Sequence, residues 1–253
     1  MEYEKTSRNT VKRGRKKASY DKDAIHSILD TNEICTVAFN VDGKAYAQPI
    51  NYGRSDDYLY LHGSTKNRMT SALMKAGEVC LSVMSLDALK LTRSAFHHSV
   101  KFRSAVVFGE VRELTTEEDK LEGLKRIINH FVPGRWDHCR KPNSKELKAT
   151  RVLEIKITSA SAKIADSPPL DEPEDYALDF WAGTIPVKTV YEYPIPDENL
   201  KNGVELPSHV LEFYEEKKLK NRRGYWATIV CTSQLQLAGP EAVALFWSAN
   251  LKC

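Results

Sequence analysis

The chain has little cysteine, and nothing in it resembles a cysteine framework. Five cysteines occur in 253 residues, they lie far apart, and no two of them form a C-x-x-C pair. An odd number of isolated thiols argues against a disulfide scaffold and against a cysteine-rich zinc site. A reducing, cytoplasmic environment fits this composition.

Long apolar runs and a strong charge imbalance are also missing. No apolar stretch approaches the roughly 18 residues that a transmembrane helix requires, so we predict no membrane span. The chain is polar from Glu2 onward, unlike a secretory leader. The formal net charge of +3 is too small to indicate a nucleic-acid partner. Hydrophobic residues make up 42% of the chain and charged residues 28%, which is typical of a globular protein.

Three familiar motifs of nucleotide binding and catalysis are absent. The sequence contains no G-x-G-x-x-G, so a Rossmann dinucleotide-binding domain has no support. It contains no P-loop and no G-x-S-x-G nucleophile elbow. No serine or cysteine has an evident base partner in the sequence, so a catalytic triad is not predicted.

A basic cluster lies near the start of the chain. Residues 1–19 are polar, and five basic side chains fall between Lys12 and Lys17. We interpret residues 1–19 as a flexible, solvated arm. The alternatives are a nuclear-import signal, an electrostatic patch, or an arm that folds over a partner subunit. No nucleic-acid reader motif accompanies the cluster, so the sequence does not favour that role.

Several short β-type runs and few helices predict the fold class. Residues 34–41 and 44–52 flank Asp42-Gly43, which is a typical tight hairpin, and Pro49 predicts an edge strand or a bulge. Such a pattern favours a small antiparallel barrel with helices at its ends over a doubly wound parallel sheet. We predict four segments: a basic arm (1–19), a barrel domain (20–166), a Pro-rich wrapping extension of that domain (167–216) and an atypical, poorly ordered tail (217–253).

The segment that follows the third β-type run has the residues of a phosphate site. The apolar run at 58–61 ends near Gly63, and a helical pattern follows that begins with hydroxyl, basic and amide side chains. Backbone N–H groups at a helix start are unpaired, and the helix dipole favours negative charge there. Ser64 and Thr65 add hydroxyl donors, and Arg68 can add a two-pronged charged contact. The alternative is an ordinary capped helix with basic surface residues.

Two further segments are rich in polar groups. Residues 96–104 hold two histidines, two hydroxyls, a lysine and an arginine, with Lys101 and Arg103 on one strand face. They predict a second set of phosphate donors. A metal site is the alternative, but adjacent His97 and His98 would point to opposite faces of a strand, so we predict none. Residues 48–52 form an irregular strand whose free backbone groups suit a planar heteroaromatic ring, the alternative being a plain edge strand.

Taken together, these segments resemble the flavin-nucleotide-binding branch of the pyridoxamine 5′-phosphate oxidase-like superfamily, which includes nitroimidazole-resistance-type reductases. The similarity runs from about residue 13 to about residue 214. The matching segments are residues 20–21, 34–39, 49–52, 59–64, 93–99, 103–109, 132–136 and 181–183.

The resemblance implies a mainly β (α+β) fold, a split β-barrel of antiparallel strands with peripheral helices. It also implies a homodimer with FMN in each of two clefts between the subunits. Ile50, Asn51 and Tyr52 would line the isoalloxazine ring, and His62 would lie near it as a candidate catalytic residue. The residues that the resemblance assigns to the cofactor are Ile50, Asn51, Tyr52, His62, Gly63, Ser64, Lys66, Asn67, Arg68, Ser99, Lys101, Arg103 and Ser104. Trp136 and Trp181 would cover the cleft.

The implied function is that of an FMN-dependent oxidoreductase that reduces a small aromatic or nitro compound at the dimer interface. A non-catalytic flavin reservoir or sensor is the alternative. A true pyridoxamine 5′-phosphate oxidase ranks last, because the acidic, Pro-rich residues after Ile164 offer no basic groups for the phosphate of that substrate. Close relatives carry Asn-Tyr where this chain has Lys101-Phe102, so one polar contact to the cofactor is lost and one charge is gained.

Overall fold

A computed structural model describes residues 1–230 of the chain. In this range there are nine β-strands and five α-helices, joined by loops and short 3-10 turns. The strands are β1 (Ala18–Ser19), β2 (Ile34–Val41), β3 (Lys44–Asn51), β4 (Gly53–Ser55), β5 (Tyr58–Ser64), β6 (Glu78–Leu91), β7 (Ser99–Leu114), β8 (Thr150–Ala165) and β9 (Gly183–Pro186). The helices are α1 (Lys22–Asp30), α2 (Arg68–Ala76), α3 (Glu117–Phe131), α4 (Ser144–Ala149) and α5 (Ser208–Val230).

One antiparallel sheet forms the first compact unit, residues 1–188. Its strands follow the order β3-β2-β6-β7-β8-β5-β4, while β1 pairs with β8 and β9 pairs with β6. The long strands β6, β7 and β8 form its centre, and the helices lie around it. The prediction of a split barrel of antiparallel strands with peripheral helices is thus confirmed.

Local turn chemistry explains how the sheet begins. Asp42 and Gly43 both have positive φ, at 50° and 75°, as the tight β2–β3 hairpin requires. Pro49 lies in β3, which pairs only with β2 and so forms an edge. The long strand β6 is irregular, because its register with β7 shifts between Leu86 and Ala88.

Two hydrophobic clusters hold the unit together. The larger one fills the barrel with fully buried side chains such as Val37, Leu81 and Val107. The smaller one lies between the sheet and helices α3 and α4 and includes Trp136. Helix α3 comes very close to β4 at Gly53, where any Cβ would lie 2.5 Å from the Arg126 carbonyl carbon. Glycine is therefore required at position 53.

Two residues of the segment 1–19, Tyr3 and Asn9, are buried against the barrel, while Lys12 to Lys16 are exposed. Tyr3 is buried and its hydroxyl donates to Asp57 at 2.7 Å. Asn9 is buried too, and its amide donates to the Ala160 carbonyl at 3.1 Å. The pattern misses this because single polar contacts, unlike an apolar stripe, leave no periodic trace in the sequence.

The second compact unit begins at residue 189. Within it, Tyr191 and Tyr193 make edge-on ring contacts with Phe213 and Tyr214 of α5. Of the tail expected to be poorly ordered, residues 217–230 belong to α5, and residues 231–253 lie outside the described residues. No helix within residues 1–230 combines the length and the apolar character needed to span a bilayer.

Candidate functional site

The turn between β5 and α2 is fixed by its own backbone. Strand β5 ends at Ser64 and α2 begins at Arg68, so residues 65–67 form the turn. Asn67 is the N-cap, because its side-chain oxygen accepts from the N–H of Thr70 at 3.2 Å. The N–H of Lys66 donates to the hydroxyl of Ser64 at 3.2 Å. The amide oxygen of Asn67 is therefore committed to the cap.

Three side chains at this turn remain available to a ligand. Ser64, Lys66 and Arg68 are all exposed. The Arg68 guanidinium lies 4.3 Å from the ring centroid of Tyr46 on β3, a cation–π contact that limits its freedom. Neither Lys66 nor Arg68 has an acidic partner among residues 1–230. Two uncompensated cations and a hydroxyl beside a helix start suit a phosphate.

The predicted site residues 50–52 lie at the end of β3 and just after it, and their side chains point in different directions. Tyr52 is fully buried (0% exposed), and its hydroxyl donates to the Leu29 carbonyl at 2.5 Å. Ile50 pairs with buried Cys35 and packs against the barrel core. Asn51 pairs with exposed Ile34, so its side chain lies on the outer face of the sheet. Tyr52 can thus offer a ligand only its backbone.

Of the β7 residues, Ser99 and Lys101 lie where the strand continues past the end of β8, whereas Arg103 and Ser104 still pair with β8. Arg103 donates through Nε and Nη2 to both oxygens of Asp87, at 3.0 and 2.8 Å. These hydrogen bonds raise the pKa of Arg103, so it remains a cation with most of its charge compensated. Lys101 pairs with Asp166 at 3.2 Å, and Ser99 is exposed. Ser104 lies on the opposite strand face from Arg103, as the alternation predicts.

His62 is the most constrained of the predicted residues. It pairs with Val152 in the β5–β8 ladder, so it shares a sheet face with the smaller hydrophobic cluster. Its Nδ1 is buried and has no hydrogen-bond partner in the described part of the chain. Burial lowers the pKa of His62, so its imidazole is neutral at neutral pH. In general, a neutral imidazole nitrogen without a hydrogen-bond partner can accept a proton or bind a metal ion.

In one chain the predicted residues form separate groups. The outer sheet face carries Asn51 and Ser104, which are three strands apart in the order β3-β2-β6-β7. At about 4.8 Å per strand this separation is roughly 14 Å. The β5–α2 turn lies on other elements, and Arg103 lies on the opposite face of β7 from Ser104.

The sequence reasoning missed two side chains that organise these groups. Tyr46 holds the Arg68 guanidinium, and Asp87 holds that of Arg103. Asp87 lies at the register shift of β6, where an acidic residue interrupts an apolar strand, and that interruption was the available signal. Of the predicted cover residues, Trp136 is buried under α3 while Trp181 is exposed. No group of three metal-ligating side chains occurs in residues 1–230.

Comparison with known proteins assigns this chain to a family. The pyridoxamine 5′-phosphate oxidase family matches residues 21–164. No curated protein sequence matches the chain.

Two solved structures are similar over most of the chain. The flavocytochrome Anf3 from Azotobacter vinelandii has 34% sequence identity and a TM-score of 0.77, covering 82% of this chain and 96% of its own. The FAD and haem binding protein from Mycobacterium smegmatis has 34% identity and a TM-score of 0.73, covering 78% of this chain and 96% of its own.

A more distant structure shows the shared fold alone. A candidate 5-nitroimidazole antibiotic resistance protein from Bacteroides thetaiotaomicron has 23% identity and a TM-score of 0.50, covering 59% of this chain and 90% of its own.

Proposed function

Because this chain belongs to the pyridoxamine 5′-phosphate oxidase-like superfamily, we propose that it binds a flavin nucleotide, FMN, between the two subunits of a homodimer. We propose further that it is an FMN-dependent oxidoreductase that reduces a small aromatic or nitro compound. Its family membership confirms the resemblance that the sequence predicts. The identity of the nucleotide as FMN, the homodimer and the reductase activity are parts of our proposal.

The observation that carries the proposal is the β5–α2 turn. Ser64, Lys66 and Arg68 present a hydroxyl and two cations without an acidic partner in the described range. The turn belongs to the matched part of the chain. A phosphate dianion would receive two charge-assisted contacts here, each worth about 1.5–3 kcal/mol.

The outer sheet face supports the homodimer. Ile34 and Met84 are 58% and 60% exposed, and both lie on this face, because Thr36 pairs with Ser82. The face also carries Asn51 and Ser104, two residues that the resemblance assigns to the flavin. An exposed apolar face of this kind typically marks an interface. A second copy seated on it would bring the separated groups of the predicted site into one cleft.

The flavin, once bound, supplies the redox chemistry, and the protein supplies binding, orientation and electrostatics. Lys66 and Arg68 anchor the phosphate. Arg103, fixed by Asp87, offers its remaining N–H donors as an oriented cation. His62 is held neutral by burial, so it would contribute an uncharged imidazole near the flavin.

The purified protein tests the proposal directly. We expect a yellow preparation whose released cofactor co-migrates with FMN on chromatography. Turnover of a reduced nicotinamide with a panel of nitroaromatic acceptors would distinguish an enzyme from a flavin reservoir. Recovery of FAD would replace FMN as the bound nucleotide, and the proposal of a flavin site would still hold. A colourless protein that ignores added FMN and FAD would refute the proposal.

Haem binding is a second candidate function, favoured by one observation. The two relatives with 34% identity are a flavocytochrome and an FAD and haem binding protein. A neutral histidine nitrogen is the usual protein ligand of haem iron, and burial lowers the pKa of His62, which keeps its imidazole neutral. His62 is therefore the residue that would hold a haem.

Absorption spectroscopy tests the haem candidate separately from the flavin. We expect a Soret band after hemin is added, and we expect His62→Ala to lose this band while the flavin content is kept. His98→Ala is the matched control, because His98 is exposed and its Nδ1 lies 3.0 Å from the Ser94 carbonyl oxygen. A Soret band that survives in His62→Ala would exclude His62 as the ligand.

A further inference from the structure

Strands β6 and β7 carry a group of cations where they extend beyond the barrel core. In the β6–β7 ladder, Lys90 lies opposite Ser99, and Lys101 lies opposite Ala88. Paired residues share a sheet face and alternate residues return to it, so Lys90, Ser99 and Lys101 lie on one face. Within the barrel this same face of β7 carries buried Ala105 and Val107. Beyond the barrel, it carries charge.

Lys90 is an unusual lysine because it is only 6% exposed. Its Nζ has a single partner in the described range, the hydroxyl of Ser167 at 3.3 Å. An ammonium group seldom stays buried without a carboxylate, since desolvation of a charge is costly. Burial lowers the pKa of Lys90, and the charges of Lys17 and Lys101 lower it further. Lys90 therefore lies in a positive electrostatic environment that a bound anion would stabilise.

Hydroxyl side chains lie beside Lys90 in the sheet. Thr184 of β9 is opposite Lys90 on one side, and Ser99 of β7 is opposite it on the other. Directly paired side chains on one face lie about 4.5–5.5 Å apart at Cβ. The hydroxyl of Ser167 contacts the Lys90 amine itself. Hydroxyl donors around a lysine form a donor set that suits a phosphate.

The nearby carboxylates leave Lys90 without a salt bridge. Asp166 contacts Lys101 at 3.2 Å, but its side chain is 86% exposed. Asp87 is engaged by both nitrogens of Arg103. Lys90 has no carboxylate within salt-bridge distance among residues 1–230.

We propose that Lys90, Lys101 and Lys17, with the hydroxyls of Ser99, Thr184 and Ser167, form a phosphate-binding pocket distinct from the β5–α2 turn. The basic cluster near the start of the chain thereby acquires a role, because Lys17 is its last member. The ligand is a phosphate group. It comes either from the second phosphate of a dinucleotide such as FAD or from a phosphate ester bound as a substrate.

Calorimetric titration of the purified protein with inorganic phosphate tests the pocket. We expect Lys90→Met to weaken phosphate binding about ten- to a hundredfold, the range for one charge-assisted hydrogen bond. Thr184→Val removes a neutral partner and is expected to weaken binding about two- to tenfold. The control is Lys44→Met in the exposed β2–β3 hairpin, which should bind as the wild type does. Lys90→Met removes a buried cation, so its folding should be preserved.

Flavin-loaded protein distinguishes the two sources of phosphate. If FAD supplies the phosphate, the FAD-loaded protein will not bind inorganic phosphate, the FMN-loaded protein will, and Lys90→Met will lose its preference for FAD. If a separate phosphate ester occupies the pocket, both loaded forms will bind. A wild-type protein that binds no phosphate, or a Lys90→Met variant that binds it equally well, overturns the proposal. A protein that ignores flavin leaves the titration unaffected, so the two proposals fail separately.

Discussion

The strongest test of the β5–α2 turn is removal of the Arg68 guanidinium. Arg68 is exposed, has no acidic partner in residues 1–230 and is held 4.3 Å from the ring of Tyr46. Arg68→Ala removes one charge-assisted contact to the phosphate, worth about 1.5–3 kcal/mol. At about 1.4 kcal/mol per tenfold change, FMN affinity should fall roughly ten- to a hundredfold.

Substitution of Tyr46, the aromatic partner of Arg68, should produce a smaller effect than substitution of Arg68 itself. Tyr46→Leu keeps the guanidinium and removes a cation–π contact worth about 0.5–1 kcal/mol at an exposed site. The expected loss of FMN affinity is therefore only about two- to fivefold. Lys75→Ala, at the other end of α2, is the matched control and should have no effect, because Lys75 is exposed in the last turn.

Fluorescence titration of flavin-free protein with FMN measures all three dissociation constants. The order expected is Arg68→Ala weakest, then Tyr46→Leu, with Lys75→Ala equal to the wild type. Wild-type affinity in Arg68→Ala would remove Arg68 from the site. An equal loss in Lys75→Ala would show that the positive charge of the whole helix, rather than the turn, attracts the nucleotide.

Three further predictions concern packing, assembly and pH. Gly53→Ala places a Cβ 2.5 Å from the Arg126 carbonyl carbon, so urea denaturation should show a loss of about 1–3 kcal/mol; an unchanged free energy of unfolding would contradict the packing argument. Met84→Glu puts like charges on the proposed subunit interface, so sedimentation should show a monomer, and a persistent dimer would place the interface elsewhere. Arg140 lowers the pKa of Glu146 from 4.5 to about 2, so this carboxylate stabilises the fold above pH 4.5 and loses its effect as pH falls toward 2. Glu146→Gln should therefore lower Tm at neutral pH and match the wild type near pH 2; a constant difference would exclude ionisation as the cause.

The elements that the sequence predicted well depend on local chemistry. Asp42-Gly43 specified the β2–β3 hairpin, and Pro49 specified an edge strand, because each acts through the φ angle or the N–H of one residue. Gly77 ends α2 with φ 71°, a left-handed conformation that glycine favours. The short strands β1 and β9 were missed, because two or four residues that pair with distant strands have no period of their own.

The sequence could name the candidate residues but not their directions. Ile50, Asn51 and Tyr52 are consecutive, yet only Asn51 lies on the outer face, while Tyr52 is buried against Leu29. Lys90 carried no motif at all and became notable only when its burial was known. Burial depends on strands far away in the chain, and a one-residue change of register would reverse it.

The sequence by itself determined the fold class, the hairpin, the edge strand and the basic β5–α2 turn, since these follow from residue types within a few positions of one another. Only the tertiary structure decided that Asp87 holds Arg103, that His62 keeps an unused nitrogen and that Lys90 is buried without a carboxylate partner in the described residues. Those facts depend on register and burial, which are properties of the whole sheet and of no single segment.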